Sequence, residues 1–141
     1  MGFSLIAAAA ILGFTLFMGV EIIVSDLLPT IEEINTSYEE MNERMQEQLH
    51  TVINITQVER VLNGTTYDYT VSVQNTGSTT LHTTNFMILI NGSLCEFYVS
   101  DGYLYPETTR DFQVVNQPTG GEIRIKVITN NGIADYYTYR E

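Results

Sequence analysis

The residues able to act as nucleophiles, general bases or metal ligands are few and scattered. His50 and His82 stand alone, Cys95 is the only cysteine, and serine and threonine fall mainly in turns and on strand faces. No nucleophile motif, Gly-rich phosphate loop or metal-ligand spacing accompanies them. No catalytic, cofactor or metal site is therefore expected, and the chain reads as a non-enzyme. The densest titratable cluster is Glu32, Glu33, Glu39, Glu40, Glu43 and Glu47. With no His or Asp beside them to complete a coordination shell, these glutamates read as the solvated face of a helix. A lone cysteine excludes an internal disulfide, so Cys95 is read as a buried apolar position and the domain must be held by its hydrophobic core.

The remaining chemistry is that of modification and contact. Asn35-Thr-Ser, Asn54-Ile-Thr, Asn63-Gly-Thr and Asn91-Gly-Ser match the acceptor for N-linked sugar, against roughly two expected by chance. They make Asn35, Asn54, Asn63 and Asn91 candidate glycosylation sites, in agreement with an outer location. Tyr103, Tyr105, Tyr136, Tyr137 and Tyr139 are candidates for a partner interface, because tyrosine is enriched in contact patches; core and cross-strand packing is the competing reading.

Charge narrows the partners. The chain has 17 acidic and 6 basic residues, and Lys126 is its only lysine. A groove that neutralises phosphates cannot be built from this, so nucleic acid is excluded as a partner. The acidity is uneven: residues 1–51 hold eight acids and one base, a balance of −7, whereas 52–141 hold nine acids and five bases, a balance of −4.

Three segments must position these groups. Residues 1–28 read as a transmembrane helix: Met1 to Val20 has no charged side chain, and at 1.5 Å per residue it reaches roughly 30 Å, the thickness of a bilayer's hydrocarbon core. No Lys or Arg precedes Arg44, so the basic region of a cleaved signal is missing and the helix is expected to be retained. Basic residues near the span, which would set its direction, are also missing. The simplest topology is a single pass with the N-terminus cytoplasmic and the chain after about Leu28 outside. Gly2, Ala9, Gly13 and Gly19 offer weak support for packing on a neighbouring helix.

Residues 29–51 read as an acidic amphipathic stalk helix. Pro29 should interrupt the apolar stretch, and Thr30 with Glu33 reads as a capping box that starts a second helix. Ile31, Ile34, Tyr38, Met41, Met45, Leu49 and Val52 form an apolar stripe spaced by three and four. A short coiled-coil seam, docking on the β domain and docking on a partner are the open readings of that stripe.

Residues 52–141 change to a period of two. Tyr67, Tyr69, Val71 and Val73 share one face, as do Phe86, Ile88 and Ile90, and Ile123, Ile125 and Val127. Phe112 and Val114 alternate likewise, and Cys95, Phe97 and Val99 read as a further core strand. Thr51 to Leu62 alternates imperfectly, which implies a bulge or an edge position. Asn63-Gly64, Asn75-Thr76-Gly77, Asn91-Gly92, Asp101-Gly102, Gly120-Gly121 and Asn131-Gly132 mark turns. Six or seven short strands in about 90 residues predict an all-β immunoglobulin-like sandwich behind a long N-terminal helix, with a barrel as the lesser alternative.

Taken together these motifs resemble a known family. Met1-Gly-Phe-Ser opening directly into the apolar helix is one of four; the others are Tyr69-Thr-Val-Ser-Val-Gln-Asn-Thr-Gly-Ser-Thr-Thr-Leu81, Asp101-Gly-Tyr-Leu-Tyr-Pro106 and Gly121-Glu-Ile-Arg-Ile-Lys-Val-Ile-Thr-Asn-Asn-Gly132. They are similar to the FlaF/FlaG family of archaeal flagellar (archaellum) accessory proteins, and the N-terminal opening makes FlaF the closer. The resemblance covers nearly the whole chain. It implies a motility protein of the cell envelope, anchored by a single helix, whose β-sandwich in the archaeal pseudo-periplasm binds the S-layer protein and serves as part of the stator. The implied partners also include other archaellum accessory proteins (FlaG-like) and further copies of the chain, as a homodimer or hetero-oligomer. No Lys/Arg-Gly processing site precedes the helix, unlike filament subunits. Where relatives carry a Pro-Gly-Glu turn this chain has Pro106-Glu107-Thr108, and the acidic stalk has no clear counterpart. The competing reading is a FlaG-like or pilin-like subunit that assembles through its N-terminal helix. A third is an envelope-anchored binding module unrelated to motility.

Overall fold

The computed structural model describes residues 1–118 and 120–141. The chain divides into two compact units, Met1–Glu43 and Arg44–Glu141. In the first, α1 (Gly2–Ile22) buries no side chain and is long and apolar enough to cross a membrane by length and composition.

The expected break at Pro29 does not occur. A π-turn spans Ile23–Leu27, where the Leu28 N–H reaches back five residues to the Ile23 carbonyl, and α2 follows at Leu28–His50. Proline has no N–H, and its ring collides with the carbonyl four residues before it, here that of Ser25. The wider turn shifts the hydrogen bonding at the point where that collision falls. The expected capping box is absent for the same reason: the Thr30 hydroxyl donates 2.7 Å back to the Asp26 carbonyl, as Ser25 does at 2.6 Å to Glu21. With helix on both sides, Thr30 has no free N-terminal amides to cap.

The second unit is a helix plus a β-sandwich of antiparallel strands. One sheet has the order β1-β2-β8-β6 and the other β10-β9-β4-β5; a two-stranded ladder joins β3 to β7. The long strands are β1 (Ile53–Asn63), β2 (Thr66–Asn75), β4 (Met87–Ile90), β8 (Thr109–Gln117), β9 (Ile123–Ile128) and β10 (Ala134–Tyr139). The short ones are β3 (Leu81–His82), β5 (Ser93–Cys95), β6 (Tyr98–Val99) and β7 (Tyr103–Leu104), so among the described residues there are ten strands where six or seven were expected. Two- and three-residue strands show too few alternations to register in a sequence. β1 is both an edge strand and bulged, with its register shifting between Ile55 and Gln57.

Alternation places Tyr69, Val71 and Val73 of β2 and Phe112 and Val114 of β8 against Ile88 and Ile90 of β4 and Ile123, Ile125 and Val127 of β9, all buried. The Phe112 ring stacks on Phe86 at 5.4 Å and meets the edge of Phe97 at 5.4 Å. The single core strand expected at Cys95–Val99 is instead two. The chain leaves one sheet after Cys95 and enters the other at Tyr98, so Cys95, Phe97 and Val99 are only half-buried. A strand that changes sheets must bend, and its side chains then line the open side of the sandwich.

Two turns grip the last residues of α2. The Thr76 and Gly77 amides donate to the Val52 carbonyl at 2.9 and 3.0 Å, and the Ser78 amide donates to His50 at 2.9 Å. On the other side Gln48 donates to the Asn131 carbonyl at 2.8 Å, and the Asn131 amide donates to the Thr51 hydroxyl at 2.6 Å. The His50 carbonyl, which would otherwise be orphaned at the helix end, thus finds a partner in a loop of the sandwich. Asn75, fully buried, holds the first turn from inside, donating to the Thr79 and Leu104 carbonyls at 2.7 and 3.1 Å and accepting from the Gly77 amide at 3.0 Å. The Asn75-Thr76-Gly77 motif read as a turn is therefore also the clamp on the helix end.

Candidate interaction surfaces

The five candidate interface tyrosines are not brought together. Tyr103 stands on the β3–β7 ladder, and Tyr105 follows directly after β7. Leu81 and Leu104 point inward and are wholly buried, which turns His82 and Tyr103 outward with their rings 4.7 Å apart. Tyr105 stacks beside Tyr103 at 6.0 Å, and the two tyrosines are 47% and 42% exposed, respectively. Exposed aromatic rings held this way offer apolar area at little entropic cost.

The loop behind the rings is fixed. The Thr83 hydroxyl donates to the Asp101 carbonyl at 2.6 Å, and Arg110 pairs with the Asp101 carboxylate at 3.1 Å. Glu107 has φ +61. The loop therefore takes a left-handed conformation that glycine adopts freely and other L-residues resist. Its amide donates to the Asn75 carbonyl at 2.9 Å, which compensates. Glu107→Gly should raise stability by about 1 kcal/mol, measured as an upward shift in the chemical denaturation midpoint at constant slope.

Tyr136 lies elsewhere, on the outer face of the β10-β9-β4-β5 sheet. Register puts Tyr136, Lys126, Leu89 and Leu94 in one row across its four strands. The Arg124 guanidinium and the Lys126 ammonium lie 4.8 and 5.2 Å from the Tyr136 ring centre, within cation–π range. Met87 and Leu94 on this face are 45% and 69% exposed. The sequence reading missed these apolar side chains. The signal was the uninterrupted run Phe86-Met87-Ile88-Leu89-Ile90, apolar on both faces of its strand where Phe86, Ile88 and Ile90 alone account for the core.

Tyr137 and Tyr139 pack against the core. Tyr139 meets Tyr69 edge-on at 6.3 Å, and the Arg60 guanidinium lies over the Tyr67 and Tyr139 rings at 4.8 and 5.3 Å while pairing with Glu141. With the Asp135 carboxylate accepting from the Ile55 amide at 2.8 Å, this lock closes the β1–β10 side of the sandwich. Burial pushes the Tyr69 phenol above its usual range, with the Arg60 contact partly opposing. For a group whose pKa is raised on folding, the unfolded chain ionises first as pH rises. The stability from neutral Tyr69 is thus complete below about pH 10 and is lost above it. Melting temperature should fall as pH climbs past that point, and Tyr69→Phe should flatten the decline.

The opposite side, between the edge strands β5 and β6, stays open as a cleft of about 460 Å³ lined by Leu94, Cys95, Tyr98, Val115 and Gln117 among others. Cys95 is half-buried there, its thiol 3.3 Å from the Gln117 side-chain oxygen, and desolvation pushes the thiol above its usual range. It is therefore protonated and weakly nucleophilic at neutral pH. Among the described residues no group of three His, Cys, Asp or Glu converges on a point that could hold a metal.

The four sequon asparagines are all exposed. Asn35 lies on α2 and Asn54 on β1. The Asn63 amide donates to Asp68 at 2.9 Å beside the β1–β2 turn. Asn91, at the β4–β5 turn, accepts from the Arg124 amide at 2.9 Å through its side-chain oxygen.

These surfaces belong to a protein built of one long N-terminal helix and an antiparallel β-sandwich. No family model matches the sequence, and no curated protein matches it. Among solved structures the fold is similar to the archaellum periplasmic stator protein FlaG from Sulfolobus acidocaldarius, with a TM-score of 0.55 and 18% identity, over 63% of this chain and 99% of that one.

Proposed function

We propose that this protein is a membrane-anchored component of the archaellum motor, a FlaF-type stator protein, whose β-sandwich lies outside the cell membrane and binds the S-layer. The observation that carries the reading is the pairing, in one chain, of a helix of membrane-spanning length and composition with a β unit that has the fold of an archaellum stator protein. The N-terminal opening Met1-Gly-Phe-Ser favours the FlaF type. The protein works by binding and not by catalysis: its thiol is kept protonated, its histidines lie apart in the sequence, and its exposed features are aromatic and apolar.

A stator must resist torque, which requires one end in a rigid lattice and the other coupled to the motor. The clamped end of α2 suits a part that carries load, because Gly77, Ser78 and Asn131 fix its last residues on the sandwich. Lattice affinity then falls to a few buried aromatics in a polar surround. The Tyr103–Tyr105–His82 group is the first choice, since its rings are exposed and its loop is held by Asp101 and Arg110.

The test is retention of the full-length chain, in detergent or nanodiscs, on isolated S-layer sheets from the source cells. Saturable retention is expected. Tyr103→Ala with Tyr105→Ala should weaken it by at least 2 kcal/mol, a roughly thirtyfold rise in Kd, with the melting temperature little changed. Retention of only further copies or of another small sandwich protein would favour a filament-like assembly instead. Orientation has its own check: sugar found by intact mass on Asn54, Asn63 or Asn91 would support an outer β unit.

A further inference from the structure

In the first unit, α2 carries an apolar stripe on which none of the described residues packs. Ile31, Ile34, Tyr38 and Met41 are 57%, 64%, 59% and 50% exposed, each far more than a folded protein leaves for a buried contact. Spaced 3, 4 and 3, they take alternate a and d positions of a heptad and fall within an arc of about 80° at 3.6 residues per turn.

The charges identify what covers this stripe. All five glutamates of this stretch, Glu32, Glu33, Glu39, Glu40 and Glu43, fall at b, c and f, on the opposite side of the helix. The e and g positions that border the stripe hold Thr30, Asn35, Ser37 and Asn42, all neutral. A basic partner would select acids at those borders, and a random acidic helix would place some there. An acidic helix that packs against its own copy must keep them clear, because like charges across the seam repel.

We infer that the exposed stripe of α2 is the seam of a parallel, in-register coiled coil with α2 of a second copy of this chain. The parallel sense rests on the membrane anchoring proposed above, since two copies held in one bilayer by α1 emerge in the same direction. In that register a g residue faces the e residue five positions on in the partner. Thr30 then meets the second copy's Asn35, and Ser37 meets its Asn42, hydroxyl against amide in both cases. Two sandwiches joined this way present two lattice-binding patches, and the second contact gains from the effective concentration set by the first.

Cysteine scanning of the full-length chain in native membranes tests the inference, in a Cys95→Ala background that removes the resident thiol. Single cysteines at positions 30 to 43 are oxidised and the dimer band is read on non-reducing gels. Strong bands at Ile31→Cys, Ile34→Cys, Tyr38→Cys and Met41→Cys, with loss of the band at Glu32→Cys, Glu33→Cys, Glu39→Cys, Glu40→Cys and Glu43→Cys, are expected. Uniform bands, no bands at any position, or bands strongest on the glutamate side would overturn the seam. Alkaline carbonate extraction of the same membranes reports the anchoring separately. Protein extracted into the supernatant defeats the anchor, whereas protein retained in the pellet without periodic cross-linking defeats the seam alone.

Discussion

Gly77→Ala is expected to lower the melting temperature of the protein by on the order of 20 °C. A Cβ at position 77 would stand 2.4 Å from the His50 carbonyl oxygen and 2.6 Å from the Val52 amide nitrogen, both backbone atoms. Neither can swing aside as a side-chain end would, so the turn or the end of α2 must move. That movement breaks the hydrogen bonds that the Thr76, Gly77 and Ser78 amides donate to the Val52 and His50 carbonyls. Strain from overpacking and the orphaned carbonyls together cost about 4 kcal/mol. Gly77 is not among the residues with positive φ, so the requirement is for space and not for a left-handed backbone. Thermal unfolding followed by circular dichroism decides the matter. A shift of only a few degrees would show that the clamp yields and does not hold the helix end.

Phe112→Ala should cost about 4 kcal/mol, within the range for deleting a buried aromatic ring. Phe112 is wholly buried and touches two other rings, Phe86 from the facing side of the core and Phe97 from the segment that crosses between sheets. The cavity cannot collapse easily, because β8 is held by β2 on one side and β6 on the other. Denaturant unfolding with an unchanged slope and a much lower midpoint is the expected signature. Phe112→Leu should retain more than half of the lost stability, since it refills most of the volume. Equal losses for the two variants would mean that ring stacking outweighs packing at this position.

Much of this architecture was written locally. Period-two runs such as Tyr69–Val71–Val73 and Ile123–Ile125–Val127 can bury one face only as strands, and an uncharged stretch from Met1 to Val20 can only be a long apolar helix. The turns at Asn63-Gly64, Asn91-Gly92 and Asn131-Gly132 were legible because Gly64, Gly92 and Gly132 adopt the positive φ that glycine permits. Asn75-Thr76-Gly77 was legible as a turn but not as a clamp, since its need for glycine comes from the backbone of His50 and Val52, 27 and 25 residues away in sequence. Pro29 misled for the reverse reason: its local signal to stop a helix is real, yet a π-turn precedes it and the helix continues past it.

The candidate interface was the least legible part. Tyr103, Tyr105, Tyr136, Tyr137 and Tyr139 are one residue type in two short stretches. Which of them meet depends on strand order and on side-chain direction within each sheet, and neither is encoded near the residues themselves. Pairing of β3 with β7 brought His82 to Tyr103, and pairing of β9 with β10 surrounded Tyr136 with Arg124 and Lys126. The heptad of α2 shows the opposite case. Its stripe and its cleared borders lie within one helical element, so the sequence alone determined them, because 3.6 residues per turn fixes the face on which every side chain stands. What only the tertiary structure decided is which distant strands meet, because that choice is made by burying apolar faces against one another across the whole chain and not by any residue's neighbours.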